Sequence, residues 1–257
     1  AMDFDGTLLT DDKKVSPKTE KVLRELKKEG YYIVGATART LDSLRDVVPI
    51  DMFNYIIINN GVSIYNIDEN TDEWMGYLTQ QEAQSITEKV EKYATQIDII
   101  SGNKYYIYKQ KKNSDLPFII DIDSIEEVNE KIARMNIFLE PGEDAKKHYE
   151  WITNNFSNVN CFIMQDSKDE RQWLIINPQN INKQHTLAHL GDTLDISMEE
   201  MIFFGDGLND LEVIESVGMG VAMGNALPEV KENAKAVTTS NEEDGIAEFV
   251  LKLKKKR

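Results

Sequence analysis

Short apolar runs separated by amphipathic stretches recur at both ends of the chain, and this alternation narrows the available folds more than any other feature. Ser16-Pro17 reads as an N-cap and first-turn proline, Val22, Leu23 and Leu26 form an apolar face, and Gly30 supplies the stop. Together they predict a helix ending near Glu29. The apolar runs Tyr31 to Val34 and Tyr55 to Ile58 are bounded by turn residues and enclose a helix-like stretch, Leu41 to Val48. Parallel strands need a crossover that a helix provides, so strand and helix in alternation predict a parallel sheet. From Lys183 onward the alternation resumes with helix His185 to Leu190, strand Met201 to Phe204, helix Asn209 to Val217, strand Gly220 to Met223 and a last helix near Asp244 to Lys252.

The middle of the chain has a different pattern. Helix-like stretches at Gln80 to Tyr93, Ile125 to Lys131 and Glu143 to Asn155 are interleaved with six strand-like runs: Ile97 to Ser101, Lys104 to Tyr108, Phe118 to Ile122, Asn136 to Leu139, Val159 to Met164 and Gln172 to Ile176. Strands in such close succession predict an α+β domain with an antiparallel sheet. The chain therefore reads as an α/β domain, residues 1–78 and 180–257, with a second domain, 79–179, inserted into it.

Composition sets limits on function. With 257 residues, 41% hydrophobic and 29% charged, the chain can bury a substantial core without staples. A formal charge of -16 would repel nucleic acid phosphates and anionic membrane surfaces. One cysteine, Cys161, cannot form an internal bridge, and no run reaches the length of a membrane span, which together predict a cytoplasmic protein. The basic tail Lys252, Lys254, Lys255, Lys256 and Arg257 reads as a solvated helix end, favourable to the helix dipole.

Two groups of acids stand out. Asp3-Phe4-Asp5-Gly6-Thr7 places two carboxylates two residues apart, and in an extended segment such residues point the same way. Gly205-Asp206-Gly207-Leu208-Asn209-Asp210 follows the strand Met201 to Phe204, where open α/β sheets place their ligand crevice. Asp3 and Asp206 brought together would repel unless a hard cation lay between them. Oxygen-only ligands of this kind describe Mg2+.

These segments, with Ala36-Thr37-Ala38-Arg39 and Lys183, match in order the four motifs of the haloacid dehalogenase (HAD) superfamily. Val221-Ala222-Met223-Gly224-Asn225-Ala226, Asn59-Asn60-Gly61-Val62-Ser63-Ile64-Tyr65 and Glu243-Asp244-Gly245-Ile246-Ala247 resemble the Cof-type phosphatases of subclass IIB. The resemblance implies a Rossmann-like core with an inserted α+β cap that closes over the crevice, excludes water and sets specificity. It implies a phosphatase acting on a small phosphorylated metabolite as a monomer or weak homo-oligomer. In that reading Asp3 resembles the nucleophile and Asp5 the general acid and base. Asp206 resembles the magnesium ligand, beside the Asp3 carboxylate and the Asp5 main-chain carbonyl, with Asn209 and Asp210 holding metal-bound water or orienting neighbours. Thr37 and the amide of Ala38 resemble phosphate-binding groups, and Lys183 resembles the ammonium that balances charge on Asp3 and the phosphoryl oxygens.

Ala38 stands where many relatives carry glycine, and its methyl would crowd the approach to the amide. The family also places the first aspartate at the end of a buried strand, so residues are expected before Ala1. Asn60 reads as a turn former. His185 and His189 have helical metal-ligand spacing but lack the partners of a zinc site, while Cys161, Met198, Met201, Met219 and Met223 read as core. In the middle segment, Gly102-Asn103-Lys104 and Asp166 to Arg171 are the loops nearest in character to specificity elements. A phosphomutase of the same cap type and a noncatalytic phosphometabolite-binding protein are the rival readings. Asp5 argues against dehalogenation, which has no alkoxide to protonate.

Overall fold

The computed structural model describes residues 1–110, 112, 114–165 and 171–255. Lys256 and Arg257 of the basic tail, and Asp166 to Glu170 of the second candidate loop, lie outside the described residues. The chain divides into two compact units, Ala1–Met75 with Asn182–Arg257, and Gly76–Ile181.

The first unit runs α1 (Pro17–Lys28), β1 (Val34–Ala36), α2 (Leu41–Arg45), β2 (Tyr55–Ile58), β3 (Ser63–Asn66) and β4 (Thr71–Trp74). The second unit holds α3 (Gln80–Val90), β5 (Ala94–Ser101), β6 (Lys104–Tyr108), β7 (Ile119–Ile122), β8 (Ile132–Leu139), α4 (Ala145–Asn155), β9 (Val159–Gln165) and β10 (Gln172–Pro178). The chain then returns to the first unit with α5 (Lys183–Leu194), β11 (Ile202–Gly205), α6 (Leu211–Ser216), β12 (Met219–Ala222), α7 (Pro228–Asn233), β13 (Ala236–Val237) and α8 (Gly245–Lys254).

In the first unit β1 pairs parallel with β2, and β11, β12 and β13 pair parallel with one another. Met2 joins the two groups through parallel bridges to Gly35 and Phe204. β1, β2, β11 and β12 are buried throughout their central positions, as a sheet covered on both faces requires, while the edge strand β13 is not. The expected strand Tyr31 to Val34 is displaced to Val34–Ala36: Tyr31 and Tyr32 are exposed, and Ile33 is bonded to Asn54 instead of extending the ladder. A hairpin, β3 and β4, adds two antiparallel strands at the β2 edge, so the sheet is mixed. The expected helix Asn209 to Val217 is split into a 3-10 turn, Leu208–Asp210, and α6.

The second unit is a six-stranded sheet in the order β7-β6-β5-β8-β10-β9, antiparallel except for the β6–β7 pair. Alternate residues of β5, β8 and β10, among them Ile97, Ile99, Met135, Ile137, Leu174 and Ile176, form its core with α3 and α4. α3 opens on a capping box in which Thr79 accepts from the Glu82 N–H while the Glu82 carboxylate accepts from Thr79. The expected helix Ile125 to Lys131 is only a 3-10 turn, Ile125–Glu127, because the backbone is already extended at Val128.

Candidate active site

The site grows from the carboxyl ends of the central strands of the first unit. Residues 1 to 3 run between β1 and β11: Met2 N donates to Val34 O at 3.0 Å, Ala36 N to Met2 O at 2.8 Å, and Asp3 N to Phe204 O at 2.9 Å. Asp3 is therefore the last residue held in the ladder. Phe4 is fully buried against Phe53, and the chain turns there, with Leu9 N donating to Phe4 O at 2.8 Å. Gly6 completes the turn at a φ of 79°, and a Cβ on it would come within 2.4 Å of Asp206 Oδ2. Only glycine lets the two loops approach this closely.

Lys183 enters as the first residue of α5, whose N-cap Asn182 accepts from His185 N at 2.8 Å. The ammonium is buried and donates to Asp3 Oδ1 at 2.5 Å and to Asp210 Oδ1 at 2.8 Å. The other Asp210 oxygen accepts from the N–H groups of Asp206 at 3.1 Å and Gly207 at 3.2 Å. Asp210 thus uses both oxygens to fix the shape of its own loop and the place of Lys183. Thr7 donates its hydroxyl to Asp206 Oδ1 at 2.8 Å.

Asp3, Asp206 and Asp210 offer carboxylate oxygens that all lie within 4.8 Å of one another. Lys183 and Thr7 bind one oxygen each of Asp3 and Asp206, so the second oxygen of each carboxylate remains to hold a cation. An all-oxygen donor set beside a glycine that leaves room for it fits a small hard cation such as magnesium. Burial pushes the Asp3 carboxyl up to about 7, against the lowering effect of Lys183. Burial also raises Asp206, opposed by its bond from Thr7. Burial would lower Lys183, but Asp3 and Asp210 outweigh it and hold the ammonium above its ordinary range. Two buried acids, Asp3 and Asp210, and the half-buried Asp206 with one buried lysine among them are short of positive charge, which suits a cation site.

Asp5 departs from the expected arrangement. Because the chain turns at Phe4, its carboxylate does not join Asp3 and instead meets Arg39 and Lys13. Arg39 Nε donates to Oδ2 at 2.6 Å, Arg39 Nη2 to Oδ1 at 2.7 Å and Lys13 Nζ to Oδ1 at 2.8 Å. Burial works to raise the Asp5 carboxyl, but the bonds from Arg39 and Lys13 prevail and hold it below the usual range.

Thr37 follows β1 and is buried, its N–H donating to Ile57 O at 2.9 Å and its Oγ1 accepting from Arg39 N at 3.0 Å. Its hydroxyl hydrogen is left to donate elsewhere. Among the described residues the Ala38 N–H has no hydrogen-bond partner. Asn60, in the left-handed region at a φ of 58°, closes this loop by donating its N–H to Thr37 O at 2.8 Å. Asn209 is exposed at the tip of the Asp206 loop.

Sequence reasoning gave no role to Thr7, Arg39, Asn225 or Asn241. Asn225 Nδ2 donates to Gly6 O at 2.7 Å, and the buried Asn241 Nδ2 donates to Leu9 O at 3.0 Å, so the two asparagines hold the acidic turn from the β12 side. Thr7 and Arg39 lay inside the quoted motifs, two places beyond Asp5 and one beyond Ala38. Asn225 also lay inside a quoted segment, Val221 to Ala226, whereas Asn241 lay outside all of them.

Two buried carboxylates, a buried lysine and an amide without a partner among the described residues thus come together at the carboxyl ends of the strands. A model of the haloacid dehalogenase-like hydrolase family matches residues 1–250. The chain is 31% identical over 255 residues to the 5-amino-6-(5-phospho-D-ribitylamino)uracil phosphatase YcsE of Bacillus subtilis, covering 97% of this chain and 93% of that one. Its fold is similar to a haloacid dehalogenase-like hydrolase from Bacteroides thetaiotaomicron, with a TM-score of 0.82, 25% identity and coverage of 98% and 97%. It is also similar in fold to the HAD subclass IIB sugar phosphatase BT4131, with a TM-score of 0.74, 22% identity and coverage of 98% and 97%. The chain belongs to the haloacid dehalogenase-like hydrolases and is a phosphatase of that family.

Proposed function

We propose that the chain is a magnesium-dependent phosphomonoester hydrolase that works through an aspartyl phosphate on Asp3. The observation that carries this reading is the buried ammonium of Lys183 held between Asp3 and Asp210. A fixed cation against an otherwise repelled carboxylate is what a nucleophile needs in order to meet a phosphate dianion. Bound by Asp3 and Asp206, with the Asp5 carbonyl, Asn209 and Asp210 around them, magnesium would supply positive charge that keeps both carboxylates ionised and screens them from the incoming phosphate.

In the first half-reaction Asp5, ionised at rest, has first taken up a proton from solvent as substrate binds; an Asp3 carboxylate oxygen then bonds to phosphorus, the ester P–O bond breaks, and Asp5 gives that proton to the departing alkoxide. In the second, Asp5 takes a proton from water, the water oxygen bonds to phosphorus, and the Asp3–phosphorus bond breaks to release inorganic phosphate. Proton transfer of this kind is worth roughly 10²- to 10⁴-fold in rate. The Thr37 hydroxyl and Ala38 N–H donate to the phosphoryl oxygens, while Lys183 offsets their charge.

The substrate we propose is a small alkyl phosphate of the sugar or polyol phosphate class. The ribityl phosphate named for the Bacillus subtilis relative belongs to this class. A formal charge of -16 argues against nucleic acid and anionic membrane as partners. No helix among the described residues is long and apolar enough to cross a membrane. The buried, unbridged Cys161 suits the reducing cytoplasm. Division of the chain at 1–78, 79–179 and 180–257 into catalytic core and cap remains our functional assignment, with specificity in the cap.

A panel of phosphate esters assayed with magnesium and again after chelation tests the reading. Asp3→Asn is expected to lower turnover of 4-nitrophenyl phosphate by roughly 10⁴-fold or more, the scale of losing a covalent nucleophile. Retained turnover with an unchanged circular dichroism spectrum would remove Asp3 from that role.

A further inference from the structure

Both oxygens of Asp5 are already engaged by cations, three hydrogen bonds in all from Arg39 and Lys13. A general acid must bring one oxygen within hydrogen-bond reach of the leaving group. Two of these bonds fall on Oδ1 and one on Oδ2, so Oδ2 reaches a leaving group most readily when its single contact, from Arg39 Nε, gives way. Arg39 is tied at both ends of this arrangement. Its main-chain N–H donates to Thr37 Oγ1 at 3.0 Å, its carbonyl accepts from Asn59 N at 3.0 Å, and its guanidinium forks onto Asp5. The same residue thus links the loop proposed to bind phosphate with the proposed acid.

The two sets of ion pairs differ in how easily they open. Lys183 and Asp210 are each 1% exposed in their side chains, whereas Arg39, Asp5 and Lys13 are 26%, 40% and 49% exposed. Solvent screens the second set and lowers the cost of breaking it.

We propose that Arg39 is a positioning residue for Asp5, whose fork fixes the carboxylate at rest and exchanges one of its hydrogen bonds for a phosphoryl oxygen when substrate arrives. That exchange frees an Asp5 oxygen for the ester oxygen while the other bond keeps the carboxylate aimed. The inference rests on the reading of Asp5 as general acid and base. A lysine would keep the charge but not the two-point grip, so Arg39→Lys separates charge from geometry.

The test compares two substrates that share a phosphoryl group and differ in how much their leaving group needs a proton: 4-nitrophenyl phosphate and glucose 6-phosphate. Single-turnover release of nitrophenol or glucose reports the first half-reaction alone, and kcat and KM are measured beside it. Arg39→Ala is expected to slow glucose release at least about tenfold more than nitrophenol release, an effect confined to proton transfer. Arg39→Lys should recover KM but leave that gap open. Equal slowing of both substrates, or closure of the gap by lysine, would overturn the proposal and reduce Arg39 to a charge that attracts phosphate. Asp5→Asn is the control. If it slows both substrates equally, the reading of Asp5 has failed; if it opens the gap and Arg39→Ala does not, only the Arg39 inference has failed. Arg39→Gln, which keeps the stem, repeats the comparison if thermal melts show that alanine unfolds the protein.

Discussion

Asp3 and Asp5 are two residues apart in sequence and occupy opposite electrostatic settings, one buried and raised to about 7, the other half-exposed and lowered. In the proposed metal site the raised group would make cation uptake proton-linked. Below about pH 7 the metal-free site holds a proton on Asp3 that an entering cation must displace, so affinity should fall as pH drops; above it no proton competes and affinity should level off. Asp206, also raised, adds to the effect in the same direction. Calorimetric titration with magnesium between pH 5.5 and 8.5 is expected to show a fall approaching tenfold per pH unit at the acid end, flattened in Asp3→Asn. A constant affinity between pH 6 and 8 would show that Asp3 does not hold the ion. The identities of Asp3, Thr37, Lys183 and Asp206 were legible because four short motifs occur in order. Their contacts were not: the turn at Phe4 that sends Asp5 to Arg39 depends on a ring packed beneath Gly35 and against Phe53, and neither partner is near it in sequence.

Elements with one apolar face were the easier ones to read. α1 was legible from Ser16-Pro17 and its apolar stripe, and β6 from a run of Tyr and Ile bounded by turns. β4 was not, since Thr71, Asp72 and Glu73 are all exposed and carry no apolar alternation; their pairing with β3 makes the strand. The short loop between β2 and β3 was quoted as a motif, yet its packing role appears only in three dimensions. Gly61 has a φ of 106°, and a Cβ there would lie 2.3 Å from the carbonyl oxygen of Asn182, the residue that caps α5 ahead of Lys183. Thr186 Oγ1 donates to Gly61 O at 2.6 Å, fixing α5 to the same loop. Gly61→Ala should therefore cost about 2 kcal/mol or more, from backbone strain plus a clash that no rotamer relieves. Chemical denaturation measures it, and a change under 0.5 kcal/mol, the range of a neutral surface substitution, would contradict the packing.

At the scale of the whole chain, two hydrophobic cores share no residue. One gathers Phe4, Phe53, Ile57, Phe203 and Val221 from the first unit, the other Ile97, Met135, Ile137, Leu174 and Ile176 from the second. The insertion was visible as a change from strand–helix alternation to close-set strands. What could not be read is that the two ends of the inserted unit meet: a Cβ on Gly76 would lie 3.2 Å from Ile181 Cδ1. Adjacent termini allow a domain to be inserted without strain on its host. Separate hydrophobic cores can unfold as separate cooperative units. Scanning calorimetry is thus expected to resolve two transitions. Ile137 is fully buried at the centre of the second core, so Ile137→Ala should remove about 2–5 kcal/mol from that unit alone. One transition should move to lower temperature while the other stays in place, and the moving one should be that of a separately expressed Gly76–Ile181 fragment. If both transitions shift together, the two cores are coupled, and the independence inferred from their separate packing is wrong.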